Sequence, residues 1–159
     1  MKFSKIIRFL LLPQLFVTQF ILAEKVEITS DSMNAIDLKK EVHFTGNAKV
    51  KQLKDWIHAD KIIVYLTDTN QAKMYKAIGN VTFEFQNDKG HYLGNSDIVN
   101  YYPLTSLYIL AGKAKVKDML NKRTVKGDKI TVDMITGNSK VQGSKKKPVK
   151  FTFDMENKK

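Results

Sequence analysis

The sequence predicts an all-β protein assembled from repeated two-stranded units of about 33 residues. Three observations lead there. From Val42 to Val50 the apolar side chains Val42, Phe44, Ala48 and Val50 alternate with His43, Thr45, Asn47 and Lys49, a period of two that gives a strand one dry face and one wet face. Gly46-Asn47-Ala48-Lys49-Val50 returns as Gly79-Asn80-Val81-Thr82-Phe83 and as Gly112-Lys113-Ala114-Lys115-Val116, each glycine 33 residues after the last. No stretch carries apolar residues at helical spacing. A two-stranded unit of this length cannot bury its apolar face alone, so successive copies must stack.

The elements follow in order. Val26, Ile28 and Ile36 suggest a weak edge strand in a mostly polar stretch that ends at Lys40. The Val42 to Val50 strand is followed by a polar link at Gln52 to Asp55 and by a run from Trp56 to Leu66, rich in β-branched and aromatic residues, that reads as its partner. Both parities of that run are apolar, so its inward face stays open. After a turn at Thr67 to Asn70, Ala72 to Gln86 resolves into Val81, Phe83 and Phe85 alternating with Thr82, Glu84 and Gln86. Asn87-Asp88-Lys89-Gly90 is a hairpin turn, because Asn, Asp and Gly tolerate positive φ. Tyr92 to Tyr102 returns and stops at Pro103, which has no N–H to donate to a ladder. Leu107 to Val116 repeats the alternation, with Lys113, Lys115 and Lys117 on the wet side. Asn121-Lys122 turns, and Ile130, Val132 and Met134 mark the next strand. Thr136-Gly137-Asn138 turns again, Val141-Gln142-Gly143 begins a truncated copy, and Ser144 to Pro148 is a basic break before a last alternating strand from Val149 to Met155.

At the N-terminus, Lys2, Lys5 and Arg8 precede an apolar run from Phe9 to Ala23 interrupted by Pro13, Gln14 and Gln19. That pattern is a secretory signal peptide, 1–23, and is short for a membrane span. Cleavage after Ala23 would remove 23 of 159 residues and three cations, leaving 136 residues at +8 from a starting charge of +11. The remainder reads as one β domain, 24–144, and a basic segment, 145–159, holding the possible last edge strand. There is no cysteine, so neither a disulfide nor a thiolate metal site contributes. A basic exported protein favours an anionic partner, and a phosphorylated glycolipid or membrane surface suits that setting better than nucleic acid.

Chemistry-bearing residues are sparse. His43, His58 and His91 could be combined with Asp60, Asp97 and Asp128, but these aspartates recur at equivalent points of a repeat, the pattern of carboxylates that cap turns rather than converge on one centre. No nucleophile motif, phosphate-binding glycine loop or metal-ligand spacing is present. The sequence predicts neither an enzyme nor a cofactor. The repeated glycines fit a corner or bulge that lets a long sheet curl. The wet-face lysines Lys49, Lys51, Lys113, Lys115 and Lys117 read as solvated charges. Phe44, Val50, Val81, Phe83, Phe85, Leu110, Val116, Ile130 and Val132 form one apolar stripe, which in an open stack of short strands becomes the lining of a trough.

Phe44-Thr45-Gly46-Asn47-Ala48-Lys49-Val50, followed by Ala59-Asp60-Lys61-Ile62-Ile63-Val64 and echoed at each repeat behind a signal peptide, resembles the OstA-like domain family of LptA-type periplasmic lipopolysaccharide-transport proteins. The likeness spans roughly Val26 to Gly143. It implies an open, twisted β-jellyroll whose copies join end to end through edge strands into a periplasmic bridge. Lipid A acyl chains would lie in the apolar groove formed by those nine stripe residues. Inner-membrane LptC-type and outer-membrane LptD-type proteins would be the partners at the two ends, with docking expected at Val26 to Ile36 and Val149 to Met155. Two other readings use the same residues: a structural or polysaccharide-binding β-solenoid with a solid interior, and an inner-membrane-anchored LptC-like sibling with an uncleaved N-terminus.

Overall fold

A computed structural model describes residues 25–88 and 90–155; the expected signal peptide, 1–23, lies outside them. The strands are β1 (Val26–Thr29), β2 (Ser32–Ile36), β3 (Glu41–Gln52), β4 (Asp55–Leu66), β5 (Ala72–Asn87), β6 (Gly90–Tyr102), β7 (Leu107–Asp118), β8 (Arg123–Asp133), β9 (Ser139–Gln142) and β10 (Lys150–Phe153), with one 3-10 turn at Asp37–Lys39. They form one antiparallel sheet in which β3 to β8 are consecutive neighbours. At one end β1 and β2 both pair with β3, and at the other β9 and β10 both pair with β8. Each end of the sheet is thus a broken strand, and among the described residues the two ends do not pair with each other. No helix among the described residues is long and apolar enough to cross a membrane.

The expected single N-terminal strand is two strands, split at Ser30-Asp31. The strand expected around Ile130 begins seven residues earlier, at Arg123. Both differences come from one device. Every odd-numbered long strand carries two consecutive residues at positive φ: Gly46 (81°) and Asn47 (45°), Gly79 (82°) and Asn80 (47°), Gly112 (78°) and Lys113 (49°). At each pair the ladder register slips by one, so two residues on the odd strand oppose one aspartate on the even strand: Asp60, Asp97 or Asp128. These bulges, with the gaps between β1 and β2 and between β9 and β10, fall on one line across the sheet. They divide it into two wings.

Asp60 and Asp97 do not cap turns, as their spacing suggested; together with Asp31 they sit against the bulge of the next strand. Asn47 Nδ2 donates to Asp31 Oδ2 at 3.0 Å and Asn80 Nδ2 to Asp60 Oδ2 at 2.9 Å. Asp97 lies against Gly112 in the same way, where any Cβ would collide with its carboxylate. The slip also settles the inward face of β4. Register partners of the β3 and β5 dry faces are Ile57 and Ala59 before Asp60 but Ile62 and Val64 after it. Odd residues face inward on one wing and even residues on the other, which is why both parities are apolar.

Along the bend the inward residues are small: Ala48, Ala59, Val81, Ser96 and Ala114, each no more than 4 % exposed. Larger side chains on the wings meet across it. Phe85, on the wing formed by the second half of β5, packs on Tyr108 from the opposite wing with ring centroids 4.9 Å apart. Tyr108 in turn stacks on Tyr101 at 4.3 Å, and Tyr101 on Tyr75 at 6.1 Å. The sheet is folded over on itself. Its core is Ile62, Ala77, Val81, Phe83, Val99, Leu110 and Ile130 with the small bend residues.

Two outcomes follow from the bend. Gly79→Ala places a side chain at φ +82 against the Asp60 carboxylate and is expected to cost about 1–3 kcal/mol in urea unfolding. Gly137→Ala, at φ +73 with open space around it, carries backbone strain alone and is expected to cost less. Separately, burial, with the neighbouring Tyr101, holds the Tyr108 phenol well above its ordinary 10.0, and burial likewise raises Tyr75. The neutral phenols therefore favour the folded state: their contribution is complete below pH 10.0 and is lost as pH rises beyond it. Tyrosinate absorbance during an alkaline titration should show Tyr108 silent until the fold melts, and Tyr108→Phe should extend the alkaline range of stability.

Candidate functional site

Between the two wings, over the half of the sheet running from β5 to β10, lies an apolar trough of about 490 Å3. One wing contributes Phe83, Phe85, Val116, Val125 and Phe151, the other Tyr108, Leu110, Ile130, Val132 and Val141. Register explains the arrangement. Phe83, Gly94, Val116, Val125 and Phe151 are successive cross-strand partners, as are Val99, Leu110, Ile130 and Val141 on the facing wing. Gly94 has a specific part, since a Cβ there would run into the Phe83 ring and the Lys115 carbonyl. Phe83 and Phe85 stack at 4.9 Å along the same strand.

Of the nine stripe residues, the structure brings Phe83, Phe85, Leu110, Val116, Ile130 and Val132 to the trough. Val81 is fully buried in the bend, and Phe44 and Val50 pack against the core on β3, in the other half of the sheet. Tyr92, Tyr108, Val125, Met134, Val141 and Phe151 also line the trough and were not in the stripe. Val125 was hidden by parity: it is odd, whereas Ile130 and Val132 beyond Asp128 are even. The recurring Asp-x-apolar pattern was the signal available for it. Phe151 was hidden by the basic break before it.

The trough has a polar rim at the free tip of one wing. Asp118 accepts from Asn121 N at 3.0 Å, Asn121 Nδ2 at 2.7 Å and Arg123 Nη2 at 3.1 Å. Burial raises the Asp118 carboxyl, but these donors together outweigh it and hold the group below its ordinary 3.8. An ionised acid and its arginine therefore mark where the apolar lining gives way to water.

The histidines lie apart from the trough lining. His43 pairs with Glu41 and His91 with Glu84, each at 2.7 Å, and Glu84 also accepts from Trp56 Nε1 at 2.9 Å. The hydrogen bonds from His91 and then Trp56 lower the Glu84 carboxyl. The two Glu84 contacts tie β4, β5 and β6 together on the outer face. Asp60, Asp97 and Asp128 are strung along the bend, one per even strand, rather than gathered at any histidine.

Known proteins share this architecture. The structure of LptH, described as the LptA-homologous periplasmic component of the conserved lipopolysaccharide transport device from Pseudomonas aeruginosa, superposes with a TM-score of 0.72. It is 15 % identical in sequence, and the match covers 83 % of this chain and 96 % of that one. At that identity the likeness is one of fold. No curated protein sequence matches significantly. The family model described as LptA/(LptD N-terminal domain) LPS transport protein matches residues 27–138, which takes in every strand from β2 to β8 and therefore the whole line of bulges. This chain belongs to the LptA/LptD N-terminal domain family of lipopolysaccharide transport proteins.

Proposed function

We propose that this protein is a periplasmic lipopolysaccharide-binding bridge, shielding lipid A acyl chains in its trough during their passage from the inner to the outer membrane. The observation that carries the reading is the trough itself, a cleft walled by aliphatic and aromatic side chains from two facing wings, in a chain whose family transports lipopolysaccharide. Each methylene moved out of water is worth roughly 0.8 kcal/mol, so unshielded transit of a multi-chain lipid is prohibitive. A channel without charged lining in its interior removes most of that cost while holding the lipid at no single deep point. The contact surface is Phe83, Phe85, Leu110, Val116, Ile130 and Val132, joined by Val125, Val141 and Phe151. Phe44, Val50 and Val81 would form the adjoining core against which that surface is built. No bond is made or broken in this work, and the chain acts without enzymatic chemistry.

The free edges supply the second half of the reading. Among the described residues, β1 with β2 and β9 with β10 present unpaired strand edges at opposite ends of the sheet. Such edges invite β-augmentation. Copies of this chain would add to one another there, and LptC-type and LptD-type domains of the same architecture would occupy the two terminal edges of the bridge.

Three outcomes test this. A photo-crosslinking amino acid at Phe83 or Val132, which face inward, should capture lipopolysaccharide, and one at the exposed Thr82 should not; capture at none of them in a folded protein would overturn the cargo. Phe83→Glu should abolish lipid binding while the circular dichroism spectrum stays β-type. Analytical ultracentrifugation should show oligomers that lengthen with concentration, and a strict monomer at high concentration would exclude end-to-end assembly.

A further inference from the structure

The outer face behind the trough carries charges that strand alternation does not require. Asn95, Lys115, Lys126 and Lys150 are successive register partners on β6, β7, β8 and β10, so three lysines stand directly opposite one another. Like charges so placed destabilise a sheet. The same rank in the other half of the sheet, Thr29, Lys49, His58 and Thr82, has one lysine. Lys113 from the bend and Lys147 from the segment joining β9 to β10 flank the row. With Lys115, Lys126, Gly127 and Pro148 they enclose a depression of about 320 Å3, at the small end of the roughly 300–1,000 Å3 typical of ligand sites. Asp128 is the one carboxylate in its wall. Among the described residues, none of these five ammonium groups makes an ion pair within 4.0 Å.

We infer that this depression is a second ligand site, for the phosphate of a phosphorylated sugar. Its four lysines, Lys113, Lys115, Lys126 and Lys147, offer mobile point charges with three donors each, suited to phosphate oxygens. Bound phosphate would relieve the repulsion between Lys115, Lys126 and Lys150, the only feature of the row that needs a partner. Position connects the site to the trough. Lys126 and Lys150 alternate along their strands with Val125 and Phe151, which line the trough from the other side of the same sheet. The four-residue β10 is the sheet edge between the two faces, so a lipid with its chains inside can turn its phosphorylated head around that edge. The identity of the phosphate as a lipid head group rests on the proposed function; the site itself does not.

The test uses the purified protein and soluble probes that separate the two sites. Glucose 1-phosphate, titrated at low salt and followed by backbone amide shifts, is expected to saturate at residues around Lys115, Lys126 and Lys147. Its affinity should exceed that of inorganic phosphate and of unphosphorylated glucose. Lys115→Gln combined with Lys126→Gln should weaken it by at least about tenfold, the loss of two charge-assisted contacts, while Lys49→Gln combined with Lys51→Gln leaves it unchanged. Monomeric dodecyl maltoside, an uncharged alkyl probe, should bind the trough equally in both double variants. Absent glucose 1-phosphate binding, or affinity no better than inorganic phosphate or glucose, overturns the site even where dodecyl maltoside binds. Failure of dodecyl maltoside with intact phosphate binding overturns the trough instead. Lysine-dependent retention on phosphatidylglycerol vesicles, without saturable glucose 1-phosphate binding, would assign the row to a membrane surface and overturn the sugar-phosphate site.

Discussion

A pair of residues held at positive φ on β3, again on β5 and again on β7 bends the whole sheet along one line. Only glycine enters the first of those positions without strain, and the asparagines at 47 and 80 use their amides to grip the aspartate behind them. A flat antiparallel sheet of this length would present one apolar face to water. Folding it along the bulges turns that face onto itself, so a single sheet supplies both walls of its own core. Small residues are needed where the walls converge and large ones where they diverge, which is the order found from Ala48 and Ala114 out to Phe85 and Tyr108.

The same bend sets what the molecule can hold. Inside, aliphatic and aromatic rows face each other across a gap that they fill at the bend and leave open toward β8 and β10. Outside, the wet face carries lysines such as Lys49, Lys115, Lys126 and Lys150. The sheet is one residue thick, so apolar and cationic surfaces lie back to back along β3, β7, β8 and β10. Val125 and Lys126, or Lys150 and Phe151, are neighbours in sequence and belong to opposite environments. An amphipathic ligand needs that juxtaposition, with dry contacts for chains and charge for a head.

Leaving the sheet open is what separates this architecture from a closed barrel. Closure would satisfy the edges of β1, β2, β9 and β10 but would also seal the trough at both ends. On the last strand the apolar side chains Phe151 and Phe153 are left 53 % and 55 % exposed. The free edges and the open trough are two aspects of one choice.

Much of this was legible in residue order. Alternation located β3, β5 and β7, the 33-residue spacing of Gly46, Gly79 and Gly112 revealed the repeat, and turn residues such as Thr136-Gly137-Asn138 bounded the strands. These are local properties: side-chain period and backbone preference act within a few residues. What only the tertiary structure decided depends on pairing between strands. The one-residue slip opposite Asp60, Asp97 and Asp128 exchanges inner and outer faces within β4, β6 and β8, so Ile57 and Ile62 share a core despite opposite parity. The meeting of Phe85 with Tyr108 across the bend, the return of Phe151 to the trough beyond a basic break, and the alignment of Lys115, Lys126 and Lys150 all arise from register summed over several strands. No single strand encodes that sum, because each bulge shifts every residue paired beyond it.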